Sequence, residues 1–205
     1  MNVVENLHQE NFNIQMKFLL TCLGRVKQLY HQFSIEVGHD SSVYSAKFKS
    51  GEAKINNLYD EMFRVLFSDP DKKLNSLAED FYELAPSYEE YATVDATIAV
   101  QIALLCASII EFYHDKGFES ISEVLINMEE IIHILKSQEY DEQDLTSPGA
   151  KIDRDDYINS AISREEEQEQ NIINFLRANE TLKAFQNIVE KKYNQINLSF
   201  FFTHF

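Results

Sequence analysis

The stretch "TVDATIAVQIALLCASIIEFYH", residues 93–114, holds the longest apolar run of the chain and decides the fold class. Its apolar residues point in every direction around a helix, which is typical of a helix at the centre of a bundle. Fifteen residues lie between Asp95 and Glu111, or about 22 Å of helix. Because a membrane span needs about 20 apolar residues, the stretch predicts a central core helix, residues 93–116, and no membrane span.

Helical spacing continues on both sides of this stretch. Apolar residues at steps of three and four predict one unbroken helix from Phe12 to Val37, with Gly38 as a left-handed C-cap. Gly117 is expected to end the central helix. Only five Gly and three Pro occur in 205 residues, which disfavours the tight turns of an all-β fold. We therefore predict an all-α, single-domain bundle of about six to seven helices spanning 1–205.

Two segments of this domain are expected to lie outside the packed helices. Residues 138–156 are polar and predict a loop, and residues 196–205 form an aromatic C-terminal tail. The stretch "SREEEQEQN", residues 163–171, contains no apolar residue. A helix there would have no core contact, so we expect this part to project into water or to bend.

Charge is the most uneven property of the chain. The net charge is −16, from 34 acidic and 18 basic residues, which disfavours nucleic acid and anionic membrane surfaces as ligands. Residues 129–169 hold thirteen acids and four bases, a net of −9. This region is either a solvated helix face that keeps the protein in solution or a docking surface for a basic protein partner.

Two Glu-x-x-His patterns raise the possibility of a metal site. Glu111 with His114, and Glu130 with His133, could each present a carboxylate and an imidazole on one helical face. If Gly117 marks a turn between antiparallel helices, however, the two pairs are separated by about 13 Å along the bundle. The alternative is that these are partly exposed residues without a metal, and a short Glu-x-x-His match is common in a Glu-rich chain.

Asp95, at the head of the central stretch, has three interpretations. It can lie in the first turn of a helix capped by Thr93, be buried against an arginine, or belong to a site. In the second case Arg25 is the expected partner, because an unpaired buried carboxylate is costly. The two cysteines, Cys22 and Cys106, have apolar neighbours and are expected to be reduced core residues.

Several short motifs resemble the YjaG-like family of uncharacterised bacterial proteins, a domain-of-unknown-function family. They are Phe18 and Arg25 with Tyr30 and Phe33, "LAPSYEEY" followed by "VDATIAV", and "INLSF". The resemblance covers about residues 12–198. The chain departs from the family pattern where "HDSSVYSAKFKS" is longer and where a tryptophan is missing. The resemblance implies an all-helical cytoplasmic protein and carries over no catalytic or binding residue.

No sequence motif supports a particular enzyme. There is no Gly-rich phosphate loop, no His-Glu-x-x-His helix and no Gly-x-Ser-x-Gly elbow, and we expect no cofactor. The N-terminal residues lack the basic and apolar regions of a signal peptide, which favours a cytoplasmic location. We expect a non-catalytic interaction protein, as a monomer or a homodimer, whose acidic region meets a basic protein partner. The alternative is a metal-dependent or small-molecule enzyme using the Glu-x-x-His pairs.

Overall fold

The fold is described from a computed structural model that covers residues 3–40, 45–69, 71–144 and 153–178. Within these ranges all regular structure is helical, which confirms the all-α prediction. The helices are α1 (Val3–His8), α2 (Phe12–Val26), α3 (Tyr30–His39), α4 (Ser45–Phe48), α5 (Gly51–Phe67), α6 (Ala78–Tyr82), α7 (Val94–Asp115), α8 (Phe118–Asp144) and α9 (Arg154–Ala178). The predicted aromatic tail, residues 196–205, lies outside the described residues.

Helix α7 is the centre of the bundle. It packs against α8 and α6 and also contacts α2, α3 and α5. Its Ile102, Ala103, Leu105 and Cys106 have no exposed surface, as a helix that is apolar all round requires. The polar Ser108 is also buried, and its hydroxyl lies 3.0 Å from the carbonyl oxygen of Leu104 and 3.1 Å from Glu123 Oε2.

By length and composition alone, α7 could cross a membrane, because the helix has 22 residues and an apolar window. The length of the apolar stretch therefore does not exclude a membrane span. The packing is more informative, since 67% of that window is buried inside the bundle, as in a core helix.

The predicted first helix differs from the structure in two respects. The predicted long first helix is divided by a 3-10 turn, Lys27–Leu29, into α2 and α3. This turn keeps right-handed backbone angles, so apolar spacing cannot reveal it. Gly38 is not a left-handed cap, because α3 continues to His39 and Asp40 ends it in an extended conformation.

The central helix ends with an unexpected residue. The left-handed C-cap of α7 is Lys116, with φ of 52°, and its N–H bonds to the carbonyl of Phe112. Gly117 follows without a positive φ. The Lys116 ammonium lies 5.0 Å from the centre of the Phe12 ring, a contact that favours lysine at this position in spite of the strained backbone.

The polar segment predicted as a loop at 138–156 is helical at both of its ends. Helix α8 continues to Asp144 and α9 begins at Arg154. Contacts between the helices hold these ends together: Arg154 Nε lies 3.3 Å from Asp141 Oδ1, and the Tyr157 hydroxyl donates to Glu139 Oε1 at 2.7 Å. The polar composition of residues 138–142 thus reflects ion pairing and solvent exposure and not a loop.

Candidate functional site: an acidic groove between α1, α8 and α9

Helix α9 includes the stretch without apolar residues, yet this stretch is packed into the bundle. Asp155 and Asp156 lie in its first turn, where acidic side chains are favoured by the helix dipole. One turn apart on the same face, Glu165 and Glu169 retain only 8% and 5% exposure. The expectation that residues 163–171 lack core contact is therefore wrong, and the contact is made by glutamates.

Glu165 is held by a buried arginine. Arg25 on α2 donates from both terminal guanidinium nitrogens: Nη1 bonds to Glu165 Oε1, and Nη2 bonds to Oε2 at 2.8 Å. The two side chains are 2% and 9% exposed. Burial lowers the pKa of Arg25, but the adjacent Glu165 carboxylate raises it, and the net direction is upward. The pair is a two-pronged ion pair of the kind that only arginine makes.

Glu169 has no such partner. Among the residues that the structure describes, no hydrogen bond or ion pair to its carboxyl group is found. Burial, together with the nearby charge of Glu165, raises the pKa of Glu169 to about 8, although Arg25 acts in the opposite direction. The carboxyl group is therefore mostly protonated at neutral pH.

Both glutamates line a groove of about 250 Å³ between α1, α8 and α9. Its other acidic residues are Glu129 on α8 and Glu166 on α9, which are exposed and form the rim, whereas the buried Glu165 and Glu169 form the floor. The remaining lining is mostly apolar: Val3, Val4, Leu125, Ile126 and Ile132 with Ile162, next to Ser122. We call these eleven residues the acidic groove.

The four predicted metal ligands do not come together in this groove. The Tyr82 hydroxyl donates to Glu111 Oε1 at 2.7 Å, and this bond, with a smaller effect of burial, raises the pKa of Tyr82 to about 12. His114 is exposed in the last turn of α7, and Glu130 and His133 are exposed on α8. Across the described parts of the chain, no group of three or more His, Cys, Asp or Glu side chains is placed to hold a metal ion.

The predicted pairing of Asp95 with Arg25 is wrong, because the guanidinium of Arg25 binds Glu165. Asp95 instead lies in the first turn of α7, where the Thr93 side chain accepts a hydrogen bond from the N–H of Ala96 at 3.1 Å. Partial burial raises the pKa of Asp95. The capping interpretation of this end of α7 is thus the one that the structure supports.

The two thiols remain unpaired and buried, as predicted. Burial raises the pKa of both Cys22 and Cys106, and for Cys22 the charge of Glu169 acts in the same direction. Neither thiol is therefore an activated nucleophile.

Sequence reasoning missed the groove and both of its floor residues. The sequence offered Arg25 only as a partner for a buried Asp95, and no local pattern connects Arg25 with Glu165, which lies 140 positions away in the chain. The only available signal was the spacing of Glu165 and Glu169, four apart in a Glu-rich stretch. That spacing is equally typical of a solvated helix.

Comparisons with known proteins give one line of evidence, and it concerns the fold. No protein-family model and no curated protein matches the chain. The structure is similar to the crystal structure of a DUF416 family protein from Shewanella baltica OS155, with a TM-score of 0.63 over 93% of this chain and 92% of that one. The two sequences are 15% identical. The likeness supports an uncharacterised domain-of-unknown-function fold and assigns no activity.

Proposed function

We propose that the protein is a non-catalytic cytoplasmic interaction protein that binds a basic protein partner through the surface of α8 and α9. The observation that carries the proposal is an acidic face of nine exposed carboxylates. They are Glu129, Glu130, Asp141, Glu142, Asp153, Asp155, Asp156, Glu166 and Glu167. The fold also supports the further proposal, based on the motifs quoted above, that the chain is related to the YjaG-like family.

The acidic face extends over both helices. Glu129 of α8 and Glu166 of α9 share the groove, and Asp141 of α8 is ion-paired with Arg154 at the start of α9. Exposed carboxylates of the two helices therefore lie next to each other at both of these points.

Few described bases offset this charge. Lys136 is ion-paired with Glu139, and Arg154 with Asp141, so both are already engaged within the region. Arg164 bonds to the carbonyl of Ser160 at 3.0 Å and is surrounded in sequence by acids. A concentrated field of one sign accelerates the association of an oppositely charged protein by about 10- to 1000-fold at low salt, and this advantage falls as salt shortens the screening length.

The first experiment is affinity capture from cell lysate on the immobilised protein, with elution by a salt gradient and identification of the eluted proteins by mass spectrometry. A candidate partner is then purified, and its Kd is measured at several salt concentrations. We expect a basic protein whose affinity falls steeply with salt, because exposed charges carry the recognition.

Specificity is tested with two variants that change the net charge equally. The first neutralises four glutamates of the acidic face: Glu129→Gln, Glu130→Gln, Glu166→Gln and Glu167→Gln. The second neutralises four exposed glutamates elsewhere: Glu79→Gln, Glu83→Gln, Glu89→Gln and Glu119→Gln.

The first variant should bind the partner about tenfold or more weakly than the wild type does, and the second should lose much less affinity, since the loss depends on which carboxylates face the partner. Equal losses in both variants would show that only the total charge matters. That result, or the absence of any salt-sensitive partner, would refute the proposal.

A further inference from the structure

The acidic groove has one feature that the exposed acidic face lacks, a buried carboxyl group without a partner. Glu169 is 5% exposed and lines the groove, and no hydrogen bond or ion pair to it is found in residues 3–40, 45–69, 71–144 and 153–178. A largely buried polar group without a hydrogen-bond partner is destabilising. The carboxyl group of Glu169 therefore stays available, at the floor of the groove, to a ligand with a hydrogen-bond donor.

The lining defines the chemistry of such a ligand. Arg25 balances the charge of Glu165 only, so the carboxyl groups of Glu129, Glu166 and Glu169 favour a cation, and the apolar side chains of the lining favour a ligand with an apolar body. Ile126 is 57% exposed although it is a large apolar residue. A bound hydrocarbon chain would cover it, which would remove apolar surface from water.

The volume of the groove and the arrangement of its carboxylates further restrict the class of ligand. A dry cavity of about 150 Å³ holds a benzene molecule, so a groove of about 250 Å³ suits a small molecule with a short chain. The described carboxylates are not grouped as ligands of a metal ion. An organic cation therefore fits the lining better than a metal does.

We propose that the acidic groove binds a free alkylammonium ion, with its ammonium group between Glu165 and Glu169 and its chain along Ile126, Ile132 and Ile162. The ammonium donates hydrogen bonds to the two carboxylates, and Glu129 and Glu166 at the rim attract it into the groove. Glu165 and Glu169 lie at the floor of the groove and not at its rim. We therefore propose a free amine and not the lysine side chain of a docked protein. This inference does not rest on the proposed protein partner.

Binding of this kind is linked to the release of a proton. Glu169 is faced by Glu165 and Glu166 on its own helix, Glu129 on α8, and Arg25 and Cys22 on α2. With its pKa near 8, Glu169 is mostly neutral at pH 7 and must lose its proton to pair with the ammonium. Affinity is therefore expected to rise between about pH 6 and pH 8, while an alkylamine remains protonated.

The experiment is isothermal titration calorimetry of the full chain with n-hexylamine at low salt and about pH 8. We expect one site per chain and a Glu169→Gln variant that binds at least about tenfold more weakly, because a charge-assisted bond is lost. Hexanol and hexanoate, which have the same chain without the cation, should not compete.

Two exposed neighbours on α9 provide a matched pair that leaves the buried core intact. Glu166 lines the groove and Glu167 does not, although both are exposed. Glu166→Gln should raise the Kd of hexylamine by about threefold, because an exposed charge at the rim contributes modestly to binding. Glu167→Gln should leave this Kd unchanged. Because both substitutions are on the surface, this comparison stays valid even if Glu169→Gln does not fold.

Three outcomes would overturn the proposal: no binding of hexylamine, equal binding by the Glu166→Gln and Glu167→Gln variants, or equal binding of hexanol. A blocked lysine, Nα-acetyl-lysine amide, is titrated in parallel. If it binds as tightly as hexylamine, the groove accepts the lysine side chain of a protein, and the proposal of a free amine is wrong.

Discussion

Helices α7 and α9 are both long and both packed in the bundle, but they bury opposite kinds of side chain. Helix α7 buries isoleucine, leucine and alanine on all sides, whereas α9 buries Glu165 and Glu169 beside apolar residues such as Ile172. Apolar burial needs only shape and proximity. The burial of a carboxyl group needs a specific partner or a proton. Arg25 of α2 is the partner of Glu165, whereas Glu169, with its pKa raised to about 8, keeps a proton at neutral pH.

The strongest test of this difference is to remove the partner of Glu165. We expect Arg25→Met to lower the free energy of unfolding by about 3–5 kcal/mol, because an uncompensated charge remains buried. Urea denaturation measures the loss. The double variant Arg25→Met with Glu165→Met should recover most of it, since two apolar side chains can pack where the ion pair was.

The same arginine substitution at the surface is the control. Arg154 and Asp141 are 43% and 65% exposed, so Arg154→Met should cost less than about 1 kcal/mol. Equal losses at Arg25 and Arg154 would contradict the view that burial makes the α2–α9 pair important.

The next test concerns the pH dependence that Glu169 imposes on α9. Its pKa rises from an ordinary value of 4.5 to about 8 in the folded protein, so the folded state holds more protons than the unfolded state between these values. The contribution of the neutral Glu169 to stability is fully present below about pH 4.5 and is lost as pH rises through about 8.

Glu169→Gln should remove this dependence, because glutamine is neutral at every pH. Between about pH 5 and pH 7.5, the free energy of unfolding of the variant should rise by about 2–3 kcal/mol relative to that of the wild type. Thermal unfolding at several pH values measures the gain. Parallel profiles for the wild type and the variant would show that Glu169 does not titrate in this range.

The smallest expected effect lies at the end of α7. Lys116 adopts a left-handed backbone conformation that glycine tolerates better. Relief of this strain in Lys116→Gly should raise the free energy of unfolding by about 0.5–1 kcal/mol. The variant also loses the contact with the Phe12 ring, worth about 0.5–1 kcal/mol, and the net change should be small.

Lys116→Ala separates the two contributions, because alanine loses the ring contact but keeps the backbone strain. The difference between the alanine and glycine variants, measured by urea denaturation, should be about 1 kcal/mol in favour of glycine. Gly117→Ala is the control, since Gly117 has neither a positive φ nor an atom within 4 Å of an added Cβ. Equal stability of the two Lys116 variants would refute the role of strain.

Several local features could be predicted because neighbouring residues determine them. Thr93 caps α7 through the N–H of Ala96, only three residues away. Met16, Leu19 and Leu23 of α2 follow the apolar spacing of a helix and are buried, although α2 is buried on its other sides as well. The end of α7 was predicted to within one residue, but the left-handed conformation of Lys116 was not, because its contact with the Phe12 ring depends on the packing of α2 against α7.

The sequence by itself determined that this protein is helical, that residues 93–116 form its central helix, and that its negative charge is concentrated in residues 129–169. Each of these properties follows from local spacing or composition, which the fold preserves. Only the tertiary structure decided that Arg25 binds Glu165, that Glu169 is buried without a partner, and that four glutamates share a groove with apolar side chains. These features depend on contacts between helices that are distant in sequence. Without those contacts, the same Glu-rich pattern is equally consistent with a solvated helix face and with a buried one.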